Sequence, residues 1–426
     1  MLELTNLFFS RGAMGAAQNT QVTIPFIAGD GIGPEIMAAA QAIINYAVHK
    51  AYGNTKSLVW SEVLAGKSAF EATGEWLPTE TLKALKEHKV SLKGPLTTPV
   101  GGGIRSLNVL LRQELDLYVC LRQARWFEGL PSPHRHPQGI DITIFRENTE
   151  DIYIGLEYQA GSPENRLWLE GFKQNQPNDY AKIPNPEEVG IGIKPVSKLG
   201  SQRLVKAAIQ WALENNKHRL TLVHKGNIMK FTEGAFRTWG YELSESGFPD
   251  QTFTKRQYQE IGKAQGEEAA QTAKSQAKSD GKLWVDDVIA DVVFEQLITT
   301  PQQFEVLATT NLNGDYISDA AAALVGGVGI SPGANINFET GTAVFEANHG
   351  SAEDLAGKNL ANPSSLILSG EMMLRYLGWH EAADLVRKGI EAAIRTRKVT
   401  FDLAKQIEGA QALGTREFAQ AVMDNI

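Results

Sequence analysis

Apolar runs of strand length alternate with longer amphipathic stretches along most of this 426-residue chain. That alternation restricts the fold to an α/β architecture, with strands gathered in a sheet and helices on its faces. Val22 to Ala28 reads as the first strand. The turn Gly29-Asp30-Gly31-Ile32-Gly33 follows, then a helix from Pro34 to about Lys50. Pro34 suits a first helical turn, where its missing N–H costs nothing. Further strands are expected at 57–63, 89–92, 117–122, 141–145, 218–223 and 304–308, each ending at a polar or glycine-rich loop. Active sites of such folds lie where strands run into loops. Residues 154–197 are crowded with Pro, Asn, Gly and Glu and are expected to form an inserted β-rich arm. Tyr258 to Lys282 reads as a solvated helix or loop, and residues 365–424 as helical.

Several function classes are disfavoured at once. A net charge of -8 without a long Lys/Arg run argues against nucleic-acid binding. No apolar run approaches the roughly 20 residues of a membrane span. Cys120, the single cysteine, lies in the apolar run Leu117 to Leu121. An intramolecular disulfide and a multi-cysteine zinc site are excluded, and a reducing cytoplasm is the expected location. Residues 1–20 read as a loose leader; Glu3 precedes Leu7-Phe8-Phe9 where a signal peptide would carry positive charge. The glycine turn departs from G-x-G-x-x-G, and Lys50 stands near where a ribose-binding acid would be needed. It is read as a tight strand-to-helix turn.

Three arginines fall at element ends. Arg112 lies four residues after Asn108 on one helix face, Arg122 ends one strand and Arg146 another. Ser106 stands at a helix start, where free N–H groups attract carboxylates. Each arginine alone is more often a surface ion pair. Together their planar forks suit a ligand with more than one carboxylate. Asp315 and Asp319, at i and i+4, place two carboxylates on one helix face. Asp291 is assigned to a separate helix, Val288 to Leu297. Such hard oxygen donors favour Mg²⁺ or Mn²⁺, the alternative being capping or solvated aspartates. Tyr153 and Lys225 are candidate proton-transfer groups if their surroundings adjust them to the task.

Taken together, Gly94 to Arg122, FRENTEDIY at 145–153, VHKGNIMKFTEG at 223–234, NLNGDYISD at 311–319 and His349-Gly350 resemble the β-decarboxylating dehydrogenases, specifically the homodimeric bacterial isocitrate dehydrogenases. The resemblance runs from about Val22 to Ile426. It implies an isocitrate/isopropylmalate dehydrogenase-like fold with a large lobe (1–117 and 326–426), a small lobe (118–153 and 198–325) and a clasp (154–197). It implies isocitrate binding by Ser106, Asn108, Arg112, Arg122 and Arg146, with Ser106 and Asn108 setting isocitrate enzymes apart from isopropylmalate enzymes. It further implies metal ligation by Asp291, Asp315 and Asp319, and catalysis by Tyr153 and Lys225. Lys225 and Asp291 would be contributed across a homodimer interface. A homoisocitrate or isopropylmalate dehydrogenase, or a non-catalytic regulatory subunit, are the competing readings.

The resemblance also places a dinucleotide. Thr98 and Glu346 would lie near the nicotinamide, with His349, Gly350, Asp354, Leu355, Ala361 and Asn362 around the adenosine. Asp354 and Leu355 stand where NADP-dependent relatives carry Lys and Tyr. Phe401 stands where they carry a Tyr, and Thr300 where they carry an Arg; only Lys405 keeps a positive charge. An aspartate repels a 2′-phosphate and accepts hydrogen bonds from ribose hydroxyls, so NAD is the expected cofactor.

Overall fold

The computed structural model describes residues 20–97 and 106–426. Eleven strands form one mixed sheet. In chain order they are β1 (Thr20–Ile27), β2 (Lys56–Glu62), β3 (Val90–Lys93), β4 (Val119–Arg125), β5 (Asp141–Glu147), β6 (Arg219–His224), β7 (Thr252–Thr254), β8 (Leu283–Ile289), β9 (Val306–Thr309), β10 (Pro332–Asn337) and β11 (Thr342–Ala347). Their spatial order is β2-β1-β3-β11-β10-β4-β5-β9-β6-β8-β7. The first five come from residues 20–93 and 332–347, the other six from 119–309. The outer pairings are parallel, whereas β11-β10-β4-β5 run antiparallel to one another. The seam between the two halves of the sheet is therefore the β10–β4 pair.

The helices used below are α1 (Gly33–Tyr52), α2 (Leu107–Glu114), α3 (Lys198–Glu214), α4 (Glu233–Gly247), α5 (Ala290–Thr299), α6 (Asn311–Ala323), α7 (Ser364–Tyr376), α8 (His380–Arg395) and α9 (Thr415–Met423). Strand side chains alternate between faces, and the strand residues divide accordingly. Phe145, Leu220, Leu222, Val306 and Ala308 face the cluster that contains Leu204, Ala208 and Trp211 of α3. Ile142, Ile144 and Leu307 pack with Val293 and Leu297 of α5 and Ile317 and Ala321 of α6. On the other half of the sheet, α7 and α1 cover the face that holds Phe345.

Two expectations are corrected. The regular structure of the 154–197 arm is mainly helical: Pro163–Asn175 is a helix, capped by the Ser162 hydroxyl accepting from the Asn165 N–H. Pro163 in its first turn is a helix-start signal that outweighs the local alternation. Its only ladder among the described residues joins Glu157–Tyr158 to Ile191–Gly192. The helix carrying Asp291 begins at Ala290, because Leu283–Ile289 is a parallel strand paired on both sides, with Leu283, Val285 and Asp286 buried. Short apolar runs of this kind do not separate strand from helix by periodicity.

Phe345 is 1% exposed and stacks edge-on against Tyr376 at 5.8 Å between ring centres. Phe345→Ala should destabilise the chain by about 3–5 kcal/mol. A thermal unfolding midpoint equal to that of the parent chain would refute this packing.

Candidate active site

Register brings the charged residues to one face at the seam. Lys93 of β3 pairs with Glu346 of β11, Glu346 with Gly333 of β10, and Gly333 with Arg122 of β4. Two residues along, Asn335 pairs with Cys120 and Cys120 with Arg146. Residues opposite one another share a face, so these side chains meet.

Glu346 is the hub. One of its carboxylate oxygens accepts from Lys93 Nζ at 2.8 Å. The other accepts from Asn335 Nδ2 at 2.7 Å, Arg112 at 3.3 Å and Arg122 at 3.5 Å. Burial raises the pKa of this acid, but the Lys93, Arg112 and Arg122 charges outweigh it and hold the carboxyl well below the usual range. Arg122 Nε also donates to Cys120 Sγ at 3.1 Å. Arg146 donates to Asn311 Oδ1 at 2.8 Å and to Asp315. The second Asp315 oxygen accepts from the Tyr153 hydroxyl, whose ring lies under the Arg146 guanidinium at 4.9 Å. Burial, then the Asp315 hydrogen bond, push the Tyr153 pKa up to about 12.

Glycines seat two of the arginines. A Cβ on Gly333 would stand 2.6 Å from Arg122 Nη1, and a Cβ on Gly314 of α6 would stand 2.6 Å from Arg146 Cβ and Cγ. Arg112, Arg122 and Arg146 are 8%, 7% and 2% exposed, so none is a surface ion pair. Three buried polar atoms lack a partner there: Asn108 Oδ1, Arg112 Nε and Arg122 Nη1. Orphaned polar atoms are costly unless a ligand satisfies them. Ser106 is the N-cap residue of α2 and its hydroxyl makes no capping bond.

The three aspartates do not meet. Asp315 and Asp319 lie one turn apart on α6, and the Asp319 carboxyl is raised by partial burial and then by Asp315. Asp291, at the start of α5, is exposed and pairs with Lys225 Nζ at 2.5 Å. No group of three His, Cys, Asp or Glu suited to a metal gathers among the described residues.

A network absent from the sequence reading ties these parts together. Glu233 is fully buried at the start of α4 and accepts from the Lys225 backbone N–H at 2.9 Å, Asn313 at 2.8 Å and Thr310 at 2.7 Å. Lys194 bridges Glu233 at 2.9 Å and Asp151 at 2.6 Å. Asp151, at a positive φ of 67°, accepts from the Leu312 N–H at 3.0 Å. The Tyr153 turn, the start of α6 and the Lys225 loop are thus fixed to one another.

At the expected dinucleotide loop, the glycine turn after β1 packs under Ser351, whose carbonyl accepts from the Ile32 N–H at 2.9 Å. Asp30 holds the Thr97 N–H at 2.8 Å, and Thr97 Oγ1 reaches Ser351 at 2.8 Å. Thr98 lies outside the described residues. Burial lowers the His349 pKa; its Nδ1 lies 3.0 Å from the Gly350 carbonyl and its buried Nε2 has no partner. Gly350 has open space where a side chain would stand. Ala361 is buried, and Asn362 donates to Asp402 at 2.9 Å. Asp354 is exposed beside half-buried Leu355 on the short turn Glu353–Leu355. No helix among the described residues is long and apolar enough to cross a membrane.

Proteins named isocitrate dehydrogenase (NADP) from Staphylococcus aureus and Staphylococcus epidermidis are 55% and 56% identical to this chain, over 98% and 95% of both chains respectively. The crystal structure of isocitrate dehydrogenase from Methylococcus capsulatus is 35% identical and superimposes with a TM-score of 0.74, over 95% of this chain and 99% of that one. These relatives overturn the expectation of NAD, since the cofactor in their names is NADP. Physically, that expectation placed too much on Asp354. An exposed carboxylate opposes a nearby charge by only about 1 kcal/mol in water, less with salt. A family model described as isocitrate/isopropylmalate dehydrogenase matches residues 23–422, and the chain belongs to that family.

Proposed function

We propose that this protein oxidises and decarboxylates isocitrate to 2-oxoglutarate and CO₂, with NADP as hydride acceptor and Mg²⁺ or Mn²⁺ bound. One observation carries the reading: buried Arg112, Arg122 and Arg146 converge with unsatisfied polar atoms beside Asp315, Asp319 and Tyr153. The charge count supports it. Lys93, Arg112, Arg122 and Arg146 against Glu346, Asp315 and Asp319 leave one positive charge. A divalent cation raises that to three, the magnitude carried by a tricarboxylate. The names of the relatives support both the substrate and NADP.

The residues present fit both bound groups. Asp315 and Asp319 offer hard oxygens whose mutual repulsion a divalent cation relieves. The unpartnered His349 Nε2 is free to bond the dinucleotide. Between them these groups supply hydride acceptance and neutralisation of charge on the substrate oxygens. Everything else falls to the chain. The arginines hold the carboxylates and orient the carbon that loses hydride. Asn108 and Ser106 discriminate the third carboxylate from an alkyl substituent. Lys225 carries away the hydroxyl proton. Tyr153, protonated at neutral pH, returns a proton to carbon after CO₂ leaves.

Lys225 and Asp291 complete the site of a second protomer in this reading. The loop after Lys225 supports it, because Ile228 is 69% and Phe231 90% exposed. Large apolar side chains displayed together mark an interface. The two lobes at residues 1–117 with 326–426 and 118–153 with 198–325, and a cytoplasmic location, belong to the same proposal.

Initial rates with isocitrate, Mg²⁺ and NADP should be robust and fall to background with a chelator. No turnover of isocitrate under these conditions would overturn the proposal. Tyr153→Phe should lower kcat about 10²- to 10⁴-fold with little change in KM; a change in KM alone would remove Tyr153 from the chemistry. Phe231→Lys should shift the sedimentation coefficient from dimer to monomer and abolish activity. An active monomer would disprove the shared site.

A further inference from the structure

A second cavity, of about 800 Å³, opens at the far end of β6 and β8 from Lys225 and Asp291. Arg219, the first residue of β6, and Trp284, the second of β8, line it, whereas Lys225 follows the end of β6 and Asp291 follows β8. At about 3.3 Å per residue, the length of β6 alone puts roughly 20 Å between the two ends. The cavity is thus separate from the carboxylate site and from the dinucleotide loop. Its roof is the polar helix pair Lys255–Gln265 and Glu267–Ser279, the stretch that composition marked only as solvated.

The lining has two characters. Phe253, Tyr258 and Trp284 form an aromatic wall: Tyr258 meets Trp284 edge-on at 6.2 Å, and Phe253 lies 5.9 Å from it. Around the wall stand Lys255, Lys274, Lys278 and Lys282. Asp286, the one acid of the lining, is held by Arg219 at 2.6 Å. Lys255 is drawn to Asp287 at 3.4 Å and Lys282 to the Pro249 carbonyl at 3.0 Å. Lys274 and Lys278 enter no ion pair among the described residues. Lys274 Nζ instead rests 3.9 Å over the Trp284 ring, where a cation held by a π-face covers an aromatic surface. An acidic protein that gathers four lysines beside an aromatic wall presents a local positive field.

We infer that this cavity binds a nucleoside polyphosphate, its base stacked on Trp284 in place of the Lys274 ammonium and its phosphates on Lys274 and Lys278. The volume suits one such ligand. Stacking of a base on an aromatic side chain contributes about 1–3 kcal/mol by substitution data. The lysines supply the charge that an uncharged aromatic ligand would leave unanswered. A net charge of -8 over the whole chain disfavours a nucleic-acid strand and leaves a free nucleotide as the ligand.

The experiment is isothermal titration of the full chain with ATP and ADP in saturating NADP, which blocks binding at the dinucleotide site. Wild type should show one site per chain. The double variant K274E/K278E should bind at least ten-fold more weakly, while its NADP affinity and its kcat/KM stay within two-fold. Equal binding by wild type and variant would overturn the inference, as would no binding at millimolar nucleotide. So would pyrophosphate binding as tightly as ATP, which would reveal a site for anions alone, or tighter binding of an oligoribonucleotide. Heat is measured without turnover, so failure here is distinguishable from failure of the isocitrate reading.

Discussion

The site depends on one buried carboxylate. Glu346 lies in the middle of the sheet with Lys93, Arg112 and Arg122 directed at it. Without it, three like charges would share a dry pocket, and removing one partner of a buried ion pair typically costs about 3–5 kcal/mol. With it, two guanidinium groups are held in place, and Arg112 Nε and Arg122 Nη1 remain buried without a partner. Glu346 therefore fixes the geometry of the arginine pair from within the chain itself. The expected place of Glu346 beside the nicotinamide does not conflict with this task, but its carboxylate is already engaged by the chain itself.

The rest of the machinery is arranged around the β10–β4 seam. One arginine comes from each of α2, β4 and β5, so the cluster is assembled from elements on both sides of that seam. On the other side, the buried Glu233–Lys194–Asp151 network fixes the Lys225 loop to the α6 helix that bears Asp315 and Asp319. Buried charges survive there because each is answered by an opposite charge or by N–H and O–H donors.

Much of this was legible from residue order. The shared face of Asn108 and Arg112 and the i, i+4 pair on α6 follow from local periodicity, whereas Arg122, expected to end a strand, stands in the middle of β4, which runs on to Arg125, and Arg146 lies inside β5. Glu346 and Lys93 did not stand out as a hub, because a single charge inside an apolar strand has no spacing signal and gains its partners only through long-range register. Asp151, Lys194 and Glu233 were hidden for the same reason. The clasp was misread because alternation was weighed above the Ser162-Pro163 helix start. The cofactor was misread because one exposed acid was taken as decisive where full-length relatives carry the other name. Cys120, by contrast, is the buried core residue its neighbours implied, although its sulfur also accepts from Arg122.

Gly333 and Gly314 have a consequence for anyone redesigning the pocket. Each is a recess into which an arginine is pressed, so the rear wall has no tolerance for added atoms. A library that varies those two positions would discard the cation grip before exploring any new preference. The front wall differs. Ser106 and Asn108 lie on α2 with half-buried side chains, and no glycine recess stands behind them among the described residues. Re-tailoring the pocket toward other polycarboxylates is therefore a problem for one short helix, with the sheet beneath left untouched.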